Sequence, residues 1–226
     1  MSFGVIASSY TTATSGLPAA MAAYSFSEGT GSTAADASGN GNDAVLTSAT
    51  WDLSGHTGVG LTNTTANIGA KADFFAPNTA ITLMGWVKPL DLTPGTSHIA
   101  FGFFDNGQNT SVAIYTQRAD FGTPNVLQGG IRINNSLREL HGAALTVGIW
   151  AHLALTFDGT HAELYKDGVS VYTYNEVGPI GQGDALCIAG GMSNGTYESN
   201  VVVDDVRVYD VALTQAEVVI GMNTPV

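Results

Sequence analysis

An all-β sandwich or barrel is the fold this chain predicts, and three observations point to it. Short apolar–polar alternations recur along the sequence, Gly, Asn, Asp and Pro signals separate them, and helical periodicity is nearly missing. The clearest stretch is WAHLALTFDGTHAELYKDGVSVYTY, residues 150–174, where Leu153, Leu155 and Phe157 alternate with His152, Ala154 and Thr156. Asp158-Gly159 and Asp167-Gly168 tolerate the left-handed backbone that two-residue hairpin turns require, so the stretch reads as a three-stranded meander.

The other strands follow from the same pattern. They are AAYSF (22–26), ITLMGWVK (81–88), SVAIYTQ (111–117), GGIRIN (129–134), ALCIAG (185–190) and NVVVDDVRVYD (200–210). One helix is expected, over LTQAEVVIGM (213–222). Thr214 can cap its first N–H groups, and Glu217, three residues on, can reach back to the cap. Residues 1–16 differ from the rest, being Ser/Thr-rich and nearly uncharged. Such a segment reads either as a frayed terminus or, since Phe3, Val5, Ile6 and Tyr10 would be wasted in water, as an arm that docks on a neighbouring subunit. The division expected is therefore an arm, 1–16, and one domain, 17–226.

Composition narrows the function. With 226 residues, 44% of them hydrophobic, the chain can bury a core. Nineteen acids against seven bases give a net charge of -12, which repels phosphate backbones and excludes nucleic acid as a partner while suiting a cation such as Ca²⁺. Cys187, the single cysteine, lies in an apolar run and reads as a buried small hydrophobe. No apolar run approaches the length of a membrane span, and the start lacks the basic region of a secretory signal.

From residue 17 onward the chain resembles the laminin G-like, concanavalin A-like jelly-roll domains. The likeness rests on YSFSEGTG followed by DASGNGND, on ATW at 49–51, on ITLMGWVKP, on IWAHLALTFDGTHAELYKDGVSV and on VVVDDVRVYDVALTQAEV, in the family's order. The resemblance implies two antiparallel sheets packed as a jelly-roll sandwich, with one short C-terminal helix. It places the three tryptophans in the core and leaves residues 90–145 as the variable part.

Two sites are expected. Hard Ca²⁺ takes six to eight oxygen ligands, and the sequence offers them in three places: Glu28, then Asp36, Asn40 and Asn42, then Asp204 and Asp205. By strand alternation Asp204 shares an apolar face with Val202, Val206 and Val208 while Arg207 points the other way, so its carboxylate needs a partner. The resemblance implies a structural cation joining the first and last strands. A sugar is usually held by a stacked ring and by amide or carboxylate hydrogen bonds. Candidates for that role are Tyr115, Arg118, Phe121, Asn134, Asn135, Arg138 and His141, with Tyr197.

Catalysis finds no motif. The paired acids of a glycosidase strand, G-x-S-x-G, H-E-x-x-H and the phosphate-binding loop are all missing, and His56, in LSGHTGVG, belongs to none of them. The function expected is a non-catalytic structural or adhesion protein of a virion, a phage tail or capsid decoration. Residues 1–16 would join it to other virion subunits in an oligomeric assembly, and the jelly roll would face host-surface glycans. The location expected is the surface of the phage particle; the alternative is an extracellular lectin module of a secreted bacterial protein.

Overall fold

The computed structural model describes residues 16–65, 68–93, 97–118, 126–191 and 199–226. In chain order the first strands are β1 (Ala22–Tyr24), β2 (Thr33–Ala34), β3 (Ala44–Leu46), β4 (Thr50–Asp52), β5 (Gly60–Asn63), β6 (Ala70–Ala72), β7 (Ile81–Pro89) and β8 (His98–Phe104). They are followed by β9 (Thr110–Gln117), β10 (Val126–Ile133), β11 (Ser136–Ala144), β12 (Ala151–Phe157), β13 (His161–Lys166), β14 (Val169–Asn175), β15 (Ala185–Ile188) and β16 (Val201–Tyr209), and then by helix α1 (Gln215–Met222). The first sheet runs β14-β13-β12-β7-β16-β5-β4, with β1 also on β16, and the second runs β11-β10-β9-β8-β15-β6-β3-β2. The two antiparallel sheets form the expected sandwich.

The meander lies where the alternation put it. Leu153, Leu155 and Phe157 of β12 enter the core between the sheets with Leu83, Phe101, Phe103 and Ile114. Each fully buried side chain of this size contributes about 1.5–3 kcal/mol. Asp167 and Gly168 take φ of 51° and 74°, the left-handed pair that closes β13 on β14. Asn134 and Asn135, at φ 51° and 63°, close β10 on β11 in the same way. Cys187 is buried beside Ile99, Phe104 and Tyr115.

Strand β16 departs from the simple alternation. Val201 and Val203 face the core, but so do Val206 and Val208. The switch of parity is a β-bulge between Asp204 and Arg207, with Asp205 at φ 49°. Asp204 therefore shares the outer face of the sheet with Arg207 and Tyr209, not with Val206 and Val208 as simple alternation implies. One extra residue reverses every later side chain.

Helix α1 begins on the expected cap. Thr214 accepts from the Glu217 N–H, and the Glu217 carboxylate accepts from the Thr214 N–H at 2.8 Å. Its Val218 packs on the outer face of the first sheet against Met84, Ala154, Tyr165 and Tyr209. The expected arm, residues 1–16, lies outside the described residues except for Gly16.

Candidate functional site

The opening turn is organised by Asp36. Its Oδ1 accepts from the N–H groups of Ala23 and Ser38, both at 2.9 Å, and its Oδ2 accepts from the Asn42 N–H at 3.0 Å and the Ser38 hydroxyl at 2.8 Å. Burial pushes this carboxyl up, but the hydrogen bonds from Ser38, Ala23 and Asn42 outweigh it and hold the group below its usual range. Gly39 and Gly41, at φ 83° and 76°, give the loop the left-handed turns it needs to wrap one carboxylate. Asn40 donates to the carbonyls of Ala20 and Met21, Asn42 donates to Met21, and Glu28 accepts from the Ala35 N–H. Four of the six proposed cation ligands thus stitch the first strand to its turn.

The other two lie at the bulge of β16. Asp204 Oδ2 accepts from the Thr57 N–H at 2.8 Å, and its Oδ1 accepts from the Asp205 N–H at 2.8 Å. Asp205 accepts from the Val226 N–H at 2.9 Å, and the Thr57 hydroxyl lies 3.2 Å from a carboxylate oxygen of each acid. Burial and the neighbouring Asp205 push the Asp204 carboxyl up, against the Thr57 N–H. Arg207 donates to the carbonyls of Gly221 and Thr224. The D-D-V-R run therefore holds the 55–58 loop, the end of the helix and the chain end. Among the described residues no three His, Cys, Asp or Glu side chains gather as a metal centre. Hard oxygen donors are present, but protein N–H groups already occupy the carboxylates of Asp36 and Asp204.

Two tryptophans lie outside the core where they were expected. Trp51 packs against it from the side and donates to the Gly31 carbonyl at 2.9 Å. Trp86 and Trp150 instead stand on the outer face of the first sheet. His56 stacks on Trp86 with ring centroids 3.6 Å apart and meets Trp150 edge-on at 5.6 Å. The Lys88 ammonium lies 4.9 Å from the Trp150 ring. Beneath this stack His152 is buried, its Nδ1 without a hydrogen-bond partner.

The expected sugar-binding residues divide. Tyr115 and Arg118 are buried, not exposed: the Tyr115 hydroxyl pairs with Thr110 at 2.7 Å, and the Arg118 guanidinium lies over the Tyr115 ring. Their places on and just after β9, under the second sheet's outer cluster, explain this. Phe121 and Tyr197 lie outside the described residues. His141 stands 3.7 Å from Glu139 and edge-on to Tyr172. Asn134, Asn135 and Arg138 fall together at one end of the sandwich. Asn134 donates to the Val177 carbonyl at 3.0 Å, the Asn135 carbonyl accepts from Arg132 at 3.1 Å, and Arg138 clasps Glu176. The Arg138 contact holds the Glu176 carboxyl down to about 2.

That end also carries a cleft no sequence motif signalled. Ile133 bridges to Ile180, and the Ile180 N–H donates to the Asn78 carbonyl at 2.8 Å, so the β10–β11 turn, the 176–184 loop and the 73–80 loop meet. Between the last two lies an open cleft of about 400 Å³ lined by Phe75, Asn78, Ile180 and Gln182. Phe75 is 69% exposed, the most exposed Phe, Tyr or Trp among the described residues. The Asn78 side-chain amide makes no hydrogen bond among the described residues, and Gln182 donates to Asp184. A signal existed in FFAPN: of two consecutive aromatics in extended chain only one can face the core. Phe74 takes that place, edge-on to Phe103 at 5.1 Å.

Two sheets face to face, a helix on the outer face of one and a loop-walled cleft at one end define a jelly-roll sandwich. The chain belongs to the concanavalin A-like lectin/glucanases superfamily, whose Laminin_G_3 model matches residues 55–219. No curated protein matches it. Among solved structures it is similar to domain 4 of AbnA, an extracellular GH43 arabinanase of Geobacillus stearothermophilus solved with arabinotriose. The identity is 21% and the TM-score 0.64, over 89% of this chain and 97% of that one. It is also similar to the receptor-binding domain of botulinum neurotoxin type G, with 12% identity and a TM-score of 0.67, over 89% of this chain and 50% of that one. Trypanosoma rangeli sialidase, solved with sialic acid, is similar at 18% identity and a TM-score of 0.66, over 87% of this chain and 31% of that one. The chain thus spans half of the toxin domain and less of the sialidase, and these likenesses establish the fold.

Proposed function

We propose that this chain is a non-catalytic glycan-binding module acting outside cells. The observation that carries the reading is Phe75, an exposed ring at the mouth of a cleft whose polar groups are amides. An aromatic face receives the apolar face of a sugar ring, and amides hydrogen-bond to its hydroxyls. Rigid strands on both sides fix the loops that wall it. The arabinotriose bound to the arabinanase domain and the receptor binding of the toxin domain fit the same class of function. Among the described residues no helix is long and apolar enough to cross a membrane.

The setting proposed is a virion surface, with residues 1–16 docking on another subunit, supported by the four large apolar side chains in that Ser/Thr-rich segment. Ca²⁺ is proposed as a structural ion held by oxygens of Glu28, Asp36, Asn40, Asn42, Asp204 and Asp205. A glycan array followed by titration calorimetry tests the function. The wild type binds a subset of sugars, and Phe75→Ala loses that binding while keeping its thermal midpoint. A wild type that binds no glycan, or a Phe75→Ala variant that binds as well as wild type, overturns the reading. Deleting residues 2–15 abolishes assembly into oligomers and spares sugar binding. A full chain that is monomeric and unchanged by the deletion overturns the virion setting.

A further inference from the structure

We infer that the Phe75 cleft selects uncharged sugars and rejects those that carry a carboxylate or sulfate. The inference rests on the glycan-binding reading above and names the ligand class of the same site.

An acidic sugar bound out of water needs a cation to replace its lost hydration. The chain has seven lysines and arginines, and each is already engaged. Lys71 pairs with Asp73 at 2.7 Å, Lys166 with Asp167 at 3.1 Å, and Arg138 with Glu176. Arg132 donates to the carbonyls of Thr110 and Asn135, Arg207 to those of Gly221 and Thr224, and Arg118 lies over Tyr115. Lys88, which like Arg132 and Arg207 has no carboxylate partner among the described residues, lies over Trp150 on the outer face of the first sheet, and none of the seven lines the cleft.

The cleft's own polar side chains are the neutral amides of Asn78 and Gln182. One acid touches them, and a second, paired with Lys71, lies close to Phe75 in the chain. Asp184 holds the Gln182 amide and the Asn106 N–H, and Asp73 precedes Phe75 by two residues with its side chain 72% exposed. A second negative charge brought against this fence is repelled, and the net charge of -12 adds to the effect at long range. A neutral ring loses nothing to the fence. It can lay its C–H face on Phe75, and its hydroxyls can bond to both the donor and the acceptor of Asn78.

The test compares sugars that share a ring and differ at C6 by an acidic group: methyl galactoside against methyl galacturonide, and methyl glucoside against its 6-sulfate, with sialic acid as a further acidic probe. Calorimetry at 20 mM and 300 mM NaCl is run on the wild type, Phe75→Ala and Asp73→Asn. At least one neutral glycoside should bind, about tenfold or more tighter than its acidic counterpart. Phe75→Ala should abolish that binding. High salt should narrow the gap, and Asp73→Asn, which removes one acid and frees Lys71, should narrow it several-fold at low salt. Acidic sugars bound as tightly as neutral ones, with Phe75→Ala abolishing both, overturn the charge selection and leave the glycan reading standing. Acidic sugars whose binding survives Phe75→Ala and is lost in Lys88→Ala also overturn it and move the site to the Trp150 face. Binding of no sugar at all overturns the glycan reading itself.

Discussion

The Thr57 N–H donates to Asp204 Oδ2 at 2.8 Å, joining positions 147 apart in the chain. Beside it Asp205 accepts from the Val226 N–H, and Arg207 donates to the Gly221 and Thr224 carbonyls at the end of the helix. One bulged strand thus anchors a loop from the first third of the molecule and the chain end. Asp204→Ala leaves the N–H groups of Thr57 and Asp205 without their acceptor, at a cost of about 1–3 kcal/mol. The expected result is a thermal midpoint lowered by roughly 2–4 °C per kcal/mol, with the 53–59 loop becoming sensitive to protease. An unchanged midpoint would show that the clasp is incidental.

Acid stability should depend on His152. Burial, with Arg207 and His56 nearby, pushes its imidazole down to about 3 from an ordinary 6.5, against a pull from Asp167. The folded state therefore binds fewer protons than the unfolded state between those values. The contribution of neutral His152 is complete above pH 6.5 and is lost as pH falls toward about 3. His152→Phe keeps an aromatic edge against Trp86 and removes the unpartnered Nδ1. Urea unfolding at pH 7.5, 5.5 and 4.5 should give a flatter stability profile for the variant. Equal slopes for both proteins would refute the assignment.

Asp36 and Asp204 should titrate with opposite sign. Hydrogen bonds hold Asp36 below its ordinary 3.8, so its contribution is present above that value and lost as pH falls through the lowered one. Burial raises Asp204, so its contribution is complete below 3.8 and is lost as pH rises through the raised value. Asp36→Asn should reduce stability at neutral pH and remove part of the acid-limb loss. Carboxyl chemical shifts followed from pH 2 to 6 give the two midpoints directly, and a shared midpoint would contradict the geometry.

Thr214→Ala removes one half of the capping box at α1. The expected loss is about 1 kcal/mol, read by urea denaturation, with Thr214→Ser close to wild type. An alanine variant as stable as the parent would show that packing of Val218 against Met84 and Tyr165, rather than the cap, holds the helix.

The calcium proposal has a calorimetric test. Adding Ca²⁺ to EGTA-treated protein should raise the thermal midpoint by an amount that grows with its concentration. Asp36→Asn should abolish the rise. If the midpoint stays put, the hydrogen bonds on Asp36 and Asp204 do the whole work of the clasp.

Much of the fold is legible in the chain because it is written in local periods. The β12–β14 meander, its two Asp-Gly turns and the Thr214–Glu217 cap each need only residues within a few positions of one another. Strand β8, HIAFGFF, is not legible in this way. All seven of its residues are buried, so it has no alternation to detect. The alternation in β16 misleads, since the bulge at Asp205 exchanges its two faces. The turn asparagines and Arg138 do reach one end of the sandwich, but Tyr115 lies under a covered face, and the cleft is built around Phe75.

By itself, then, the sequence determined an all-β sandwich with one capped helix, an acidic surface and a chain without catalytic motifs. Spacing, turn chemistry and composition carry that information at short range. Only the tertiary structure decided that Asp204 meets Thr57, that Trp86 and Trp150 stand outside the core under His56, and that Phe75 opens a cleft with Asn78 and Gln182. Apart from Asn78, which is near Phe75 in the chain, these contacts join positions about 30 to 150 residues apart through strand order and register, which no local period encodes.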